Sequence, residues 1–246
     1  MAASVQSIVL YSAIPVLTTA LGAAFAAFRP PSVQLRNALQ HFAAGVVFSV
    51  VAVELLPDVV RVHDPFEIGW TFAAGVALML SIERLTKRSG SVPASGEKLE
   101  VQLAGPSAGQ LTAIGIDIFI DGLLIGIAFA AGSSEGVLLT LALSLELLSL
   151  GLAVASGLVS RGRVRTILVP TTLSLLLVVG AVIGETMLRD VSEHTLAGVL
   201  SFGCAALLYL VTEELLVEAH ESGETTLGTA MFFVGFLAFL LLGMVS

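Results

Sequence analysis

Residues 110–132 read QLTAIGIDIFIDGLLIGIAFAAG, an apolar run that carries Asp117 and Asp121 near its middle. About 20 apolar residues suffice to cross the hydrocarbon core of a bilayer as a helix. The run is therefore a candidate membrane span, and it decides the fold class. Two acids four residues apart project from one face of a helix, with Cβ atoms about 5–6 Å apart. Carboxylates at membrane depth are costly, and when ionised side by side they repel. A Lys or Arg on a neighbouring span would be the usual remedy, but all 11 basic residues fall at or beyond the ends of the apolar segments. Protons or a bound cation must balance the charge instead.

The rest of the chain agrees with a bilayer setting. Of the 246 residues 56% are apolar and only 12% charged, and the mean hydropathy is +0.99. A water-soluble domain of this length needs a charged surface, so the composition describes a polytopic membrane protein in a lipid bilayer. The expected fold class is all-α. Eight transmembrane segments can be marked: Val5–Phe28, Leu39–Val60, Ile68–Leu85, Leu111–Ala131, Val137–Val159, Thr166–Leu188, Leu196–Val217 and Leu227–Val245. They form one polytopic transmembrane domain, residues 1–246. The first is too long for a signal-peptide core and lacks a basic start and a cleavage site, so it reads as a span. Residues 86–107 are the one long polar stretch, a flexible linker rich in Gly, Ser and Pro. The lone Cys204 excludes an intramolecular disulfide and a thiolate cluster. A net charge of −8 argues against nucleic acid as a partner.

Basic residues set the orientation. Arg29, Arg36, Arg84, Lys87, Arg88, Lys98, Arg161, Arg163 and Arg165 lie in loops that share one side, and only Arg61 and Arg189 lie opposite. By the positive-inside rule the first set is cytoplasmic. Both termini are then outside, the 86–107 linker is cytoplasmic, and the expected location is the cell membrane. A short internal echo accompanies this. Segment two ends in Glu54-Leu-Leu-Pro-Asp58 and segment seven contains Glu214-Leu-Leu-Val-Glu218, in helices that run in opposite directions. Inverted repeats of this kind characterise transporters that bind their cargo near the midplane.

Glu146 lies near the middle of segment five. An antiparallel neighbour of segment four brings it to the depth of Asp117 and Asp121, which predicts an oxygen-rich cation site of three carboxylates. The alternative is that each acid is protonated and hydrogen-bonded to a carbonyl, to Ser144 or to Ser149. Glu54 and Asp58 form a second pair at the outer end of segment two, an expected outer approach for cations. Glu214, Glu218 and His220 at the inner end of segment seven form the expected inner path. His63 and His194 read as solvated loop residues, and His41 as interfacial rather than as a ligand.

Four stretches resemble one known family. Asp121-Gly-Leu-Leu-Ile-Gly-Ile-Ala-Phe-Ala130 is similar to the fourth helix of the ZIP (zinc/iron-regulated-transporter-like) metal transporters, from its acidic ligand onward. Gly151-Leu-Ala-Val-Ala155 resembles the fifth helix, Ala44-Gly-Val with Glu54-Leu-Leu-Pro-Asp58 the second, and Glu213-Glu-Leu-Leu-Val-Glu-Ala-His220 the seventh. The departures are informative too. Where the family's fourth helix has His-Asn-x-Pro-Glu/Asp-Gly, this chain has Asp117-Ile-Phe-Ile-Asp121-Gly122. Where the fifth has His-x-x-Pro-Glu-Gly, it has Glu146-Leu-Leu-Ser-Leu150-Gly151. Ile118 and Leu150 occupy positions that would serve a second, adjacent metal, so the comparison implies one metal site.

The resemblance implies metal ion transport, with Zn²⁺ or Fe²⁺ as cargo and a homodimer as the assembly. The carboxylate donors themselves lean toward Mn²⁺ or another hard divalent ion. No cofactor is expected beyond the transported divalent metal, and no enzymatic activity. An intramembrane aspartyl protease needs one catalytic Asp on each of two helices, whereas Asp117 and Asp121 share one. The remaining alternative is a proton-coupled carrier, or a non-transporting membrane protein whose acids titrate without metal.

Overall fold

The computed structural model describes residues 5–61, 64–88, 106–188, 191–217 and 226–245. Among them there is no strand, and eight helices are long and apolar enough to cross a membrane. They are α1 (Val5–Phe28), α2 (Val33–Arg61), α3 (Pro65–Arg88), α4 (Ala108–Ala131), α5 (Ser133–Leu158), α6 (Arg163–Leu188), α7 (Glu193–Tyr209, continuing through Leu210–Leu215) and α8 (Thr226–Gly243). The helices outrun the apolar segments because polar residues cap them. Ser32 accepts a hydrogen bond from the N–H of Leu35, so α2 begins at Val33, and Ser192 caps α7 through Thr195. Ser107 and Gln110 form a reciprocal capping box at the start of α4. Of the sequence-predicted linker, residues 86–88 end α3 and Ser107 caps α4; its centre lies outside the described residues.

In a bilayer every backbone polar group must be satisfied internally, and a helix does this for itself. What remains is to pack the helices, and small residues set the contacts. α4 packs along α6, α1 along both α5 and α6, α2 along α8, and α3 along α7. At the α4–α6 seam a Cβ on Gly122 would overlap the carbonyl oxygen of Leu177, and one on Gly126 that of Ala181. From the other side, Gly180 lies against Phe119 and Gly184 against Leu123. Gly22 against Leu148 and Gly151 against Thr19 do the same between α1 and α5. Gly45 against Phe232 and Gly235 against Phe42 do so between α2 and α8.

The core is formed by the facing sides of α2, α4, α5 and α7, with Val47, Val50, Ile125, Leu143, Leu147 and Leu207 all fully buried. α3 and α8 lie outside it and present Trp70, Leu78, Phe233, Leu237 and Leu241 outward. Two pairs of helices share an irregularity. α1 and α6 each contain a buried proline, Pro15 and Pro170. α2 and α7 each contain a π-helical turn, where Leu56 N–H donates to the carbonyl of Val51 and Leu216 N–H to that of Val211. Both π turns fall on the repeated Glu-Leu-Leu motif, since Glu54 and Leu55 lie in the first and Glu213, Glu214 and Leu215 in the second.

The glycine seams yield a direct test. Gly122→Val drives a side chain into the backbone of α6, an overpacking cost of about 1–3 kcal/mol. Gly69→Ala, with no atom within 4 Å of the added methyl, leaves stability unchanged or slightly raised. Thermal unfolding of the detergent-solubilised variants should separate the two, and a Gly122→Val protein as stable as Gly69→Ala would contradict the packing.

Candidate metal centre

α4 and α5 are joined by the single residue Gly132, which ends the one and caps the other. That turn fixes their relative register. Asp121 lies 11 residues before it, Glu146 14 after it and Asp117 15 before it. At about 1.5 Å per residue these are depths of roughly 16, 21 and 22 Å from the turn. Glu146 is thereby placed level with Asp117 and one turn from Asp121.

The side chains meet as that register requires. Asp117, Asp121 and Glu146 each offer a carboxylate oxygen, and the three oxygens lie within 4.8 Å of one another. Two oxygens that each sit about 2.3–2.6 Å from a Ca²⁺-sized ion are at most about 5.2 Å apart, and about 4.2 Å around Mg²⁺. The spacing suits a divalent ion with side-chain adjustment alone. Asp121 is fully buried, Glu146 is 4% exposed and Asp117 is half-buried. Ile118, Leu143 and Leu147, close to the acids in sequence, are buried too. Ser144, read from the sequence as a possible donor to the acids, gives its hydroxyl proton to the carbonyl of Thr140 at 2.6 Å.

The other expected residues divide. Glu54 is half-buried in the π turn of α2, within electrostatic reach of Glu135 and Asp58. Asp58 is paired with Arg61 at 2.8 Å. Glu135, in the first turn of α5, is a member of this end that sequence reasoning misses. Its one signal there is position, three residues after the glycine that follows the acidic span. Between this end and the three-carboxylate centre, Leu55, Leu124, Ile127, Leu139, Leu200 and Leu207 close around a small apolar gap. Glu214 lies in the π turn of α7; Glu218, His220 and His63 lie outside the described residues.

Three further polar features are not legible as partners in the sequence. His194 approaches Glu67 at 3.4 Å, and with Asp64 they bring ligand atoms within 4.8 Å of one another at the starts of α3 and α7. There, however, Asp64 caps α3 by accepting from the N–H groups of Phe66 and Glu67. Tyr209 donates to Glu83 at 2.6 Å, joining α7 to α3. Glu185, on α6, is 1% exposed and lies outside the three-carboxylate cluster. His41, read as interfacial, is buried against Gly228 near the start of α8, with Nδ1 2.9 Å from the carbonyl of Asn37. Cys204 is buried and free, as a packing residue.

Fold and site together define a polytopic helical membrane protein with a buried three-carboxylate cluster on an antiparallel helix pair. No protein-family model matches the chain, and no curated protein matches it significantly.

The cluster predicts an isosteric test. In the Asp117→Asn, Asp121→Asn, Glu146→Gln protein the mutual repulsion is gone, while shape and polarity are kept. Its metal-free unfolding temperature should equal or exceed that of the parent. The stabilisation expected of the parent in millimolar Mn²⁺, about 2.7 kcal/mol at 100 times Kd, should be absent from it. Equal Mn²⁺ stabilisation of the two proteins would place the ion elsewhere.

Proposed function

We propose that the protein is a transporter of divalent metal ions, a divergent relative of the ZIP family, and that Asp117, Asp121 and Glu146 hold the cargo at the membrane midplane. The observation that carries this reading is the meeting of three carboxylates, from α4 and α5, in a chain whose apolar segments carry Lys and Arg only at or beyond their ends. A divalent cation reduces a formal charge of −3 to −1, which one proton does not achieve. The acidic grouping of Glu54, Asp58 and Glu135 supplies an outer approach by raising the local concentration of cations. The leucine-lined constriction beneath it separates that approach from the centre, as alternating access requires. Glu214, Glu218 and His220 form the inner path in this reading.

The helix pairings support an inverted repeat. Exchanging α1 with α6, α2 with α7, α3 with α8 and α4 with α5 turns each principal packing pair into another or into itself. The paired prolines of α1 and α6 and the paired π turns of α2 and α7 obey the same exchange. α4 and α5, the two helices that carry the cluster, fall at the centre of that relation, where the cargo site of such transporters lies. In the orientation set by the basic loops, both termini are outside and transport runs into the cytoplasm across the cell membrane. The resemblance also makes a homodimer the expected assembly.

A reading in which the acids titrate without metal has Glu185 in its favour, because that buried acid stands apart from the cluster. Uptake separates the two. Loss of a ligand from a dry site leaves the remaining charges uncompensated, so Asp121→Ala, or Asp117→Ala with Glu146→Ala, should abolish metal uptake by cells or proteoliposomes. Glu54→Gln, at the water-accessible end, should lower the rate severalfold and leave equilibrium binding intact. Full uptake by the Asp117→Ala, Glu146→Ala protein would sink the proposal.

Selectivity gives an independent measurement. An all-oxygen site exploits softness little and should discriminate weakly among Mn²⁺, Fe²⁺ and Zn²⁺. Asp117→His with Glu146→His restores imidazole, which should shift competition binding toward Zn²⁺ over Mn²⁺. It should also add pH dependence near about 6.5, because only neutral imidazole ligates. An unchanged Zn²⁺/Mn²⁺ ratio would mean that these side chains do not touch the metal.

A further inference from the structure

At the end of the bundle opposite Gly132, charge is segregated to an unusual degree. Residues 1–53 and 147–184 contain no Asp or Glu, yet they hold Arg29, Arg36, Arg161, Arg163 and Arg165, five of the 11 basic residues in a chain of net charge −8. The fold gathers these five. α1 packs along α5 and α6, so the end of α1, the end of α5 and the start of α6 adjoin. The guanidinium of Arg163 sits over the ring of Phe28, 5.2 Å from its centroid, which puts Arg29 at the same edge. Leu39 of α2 packs on Ala23, Ala26, Leu152 and Ala155, and Arg36 lies one turn nearer the helix end on that same face.

Two features suit this edge to an anion. Arg29, Arg161, Arg163 and Arg165 are exposed, and Nε of half-buried Arg36 has no acceptor among the described residues. The free N–H groups at the start of α6 add partial positive charge beneath the arginines. The surface below them is apolar and open. Leu17, Leu21, Phe25 and Phe28 form a ridge along α1, and Val164 and Leu168 continue it on α6, all exposed. A phosphate at the arginines would have its acyl chains lie along that ridge.

We propose that the α1–α6 edge binds the headgroup of an anionic phospholipid. The Arg29, Arg161, Arg163 and Arg165 guanidinium groups surround its phosphate, and the lipid ties α1 to α6. Charge complementarity selects the occupant. A zwitterionic headgroup brings its own cation to segments, residues 1–53 and 147–184, that contain no Asp or Glu, whereas a phosphatidylglycerol-type headgroup brings only negative charge. Basic pockets between spans bind such headgroups. The assignment does not depend on what the carboxylate centre carries.

The test uses the full chain, purified in neutral detergent. Titration with phosphatidylglycerol should raise the unfolding temperature and leave lipid bound in native mass spectra. Phosphatidylcholine and inorganic phosphate should do neither, and about 0.5 M salt should weaken the effect by screening. At about fivefold for each arginine, Arg161→Gln, Arg163→Gln, Arg165→Gln together should lower the lipid affinity on the order of 100-fold. Should that protein fail to show a helical circular dichroism spectrum, the Arg29→Gln single variant should still lower affinity about fivefold. Equal effects of phosphatidylcholine would overturn the proposal, as would equal effects of inorganic phosphate or an unaltered affinity in both variants. Lipid binding that emerges only after Glu97→Gln and Glu100→Gln would overturn it too, by assigning the arginines to the chain's own linker.

Discussion

The packing of three carboxyl groups together at membrane depth is the constraint on which this structure turns. Apolar helices in a bilayer gain little from burying one another's side chains, because lipid is as apolar as leucine. The helices must therefore be held by close backbone approach, and the glycine seams of α4–α6 and α1–α5 supply it. The two seams flank the α4–α5 pair and hold the register that brings Asp117, Asp121 and Glu146 together. A looser bundle would let the acids splay toward water or lipid. Here Asp121 and Glu146 stay buried, as do Leu143 and Leu147 beside Glu146 in sequence. The packing thus keeps the three carboxyl groups where protons or a cation must balance them.

Much of this is written in the sequence in readable form. Composition and eight apolar runs give eight spans because a helix is the only local structure that satisfies its backbone in lipid without partners. The i,i+4 spacing of Asp117 and Asp121 gives their common face. The position of Glu146 near the middle of the next, antiparallel run gives its depth, though the single-residue link at Gly132 is seen only in the structure. These are local quantities, and the structure places all three acids together. The ends of helices are less legible, because Ser32 and Ser107 extend α2 and α4 into stretches that hydropathy assigns to loops.

What cannot be read is lateral. Hydropathy gives no rotation of one span against another, so nothing in the sequence pairs Tyr209 with Glu83 or His194 with Glu67, partners more than a hundred residues apart. Glu135 and Glu185 carry a signal of a weaker kind. Each is an acid beside or inside an apolar run, and only the bundle shows that one stands by Glu54 while the other is enclosed apart from the cluster. The π turns are invisible in sequence for the same reason. A π turn adds one residue to a helical turn and shifts the face that follows it, and whether that is favourable depends on the neighbour the face meets.

The placement of those π turns bears on how such a bundle moves. A straight α-helix between α5 and α8 would keep all of its backbone hydrogen bonds in one pattern and resist local change. In α2 the widened turn spans Val51–Leu55, at the boundary between the acidic Glu54 end and the leucine constriction. In α7 it spans Leu210–Leu215, likewise toward the C-terminal end of a helix that runs the opposite way, and next to the Tyr209–Glu83 hydrogen bond. An i→i+5 bond can be exchanged for an i→i+4 bond by a small backbone shift, and that exchange rotates every side chain beyond it. The two helices that line the core beside α4 and α5 therefore each carry a place to rotate, one near each end, while the glycine-locked α4–α6 and α1–α5 pairs do not. The helix pair that carries the three acids is thus held by close backbone contact, while the walls beside it are adjustable at alternate ends.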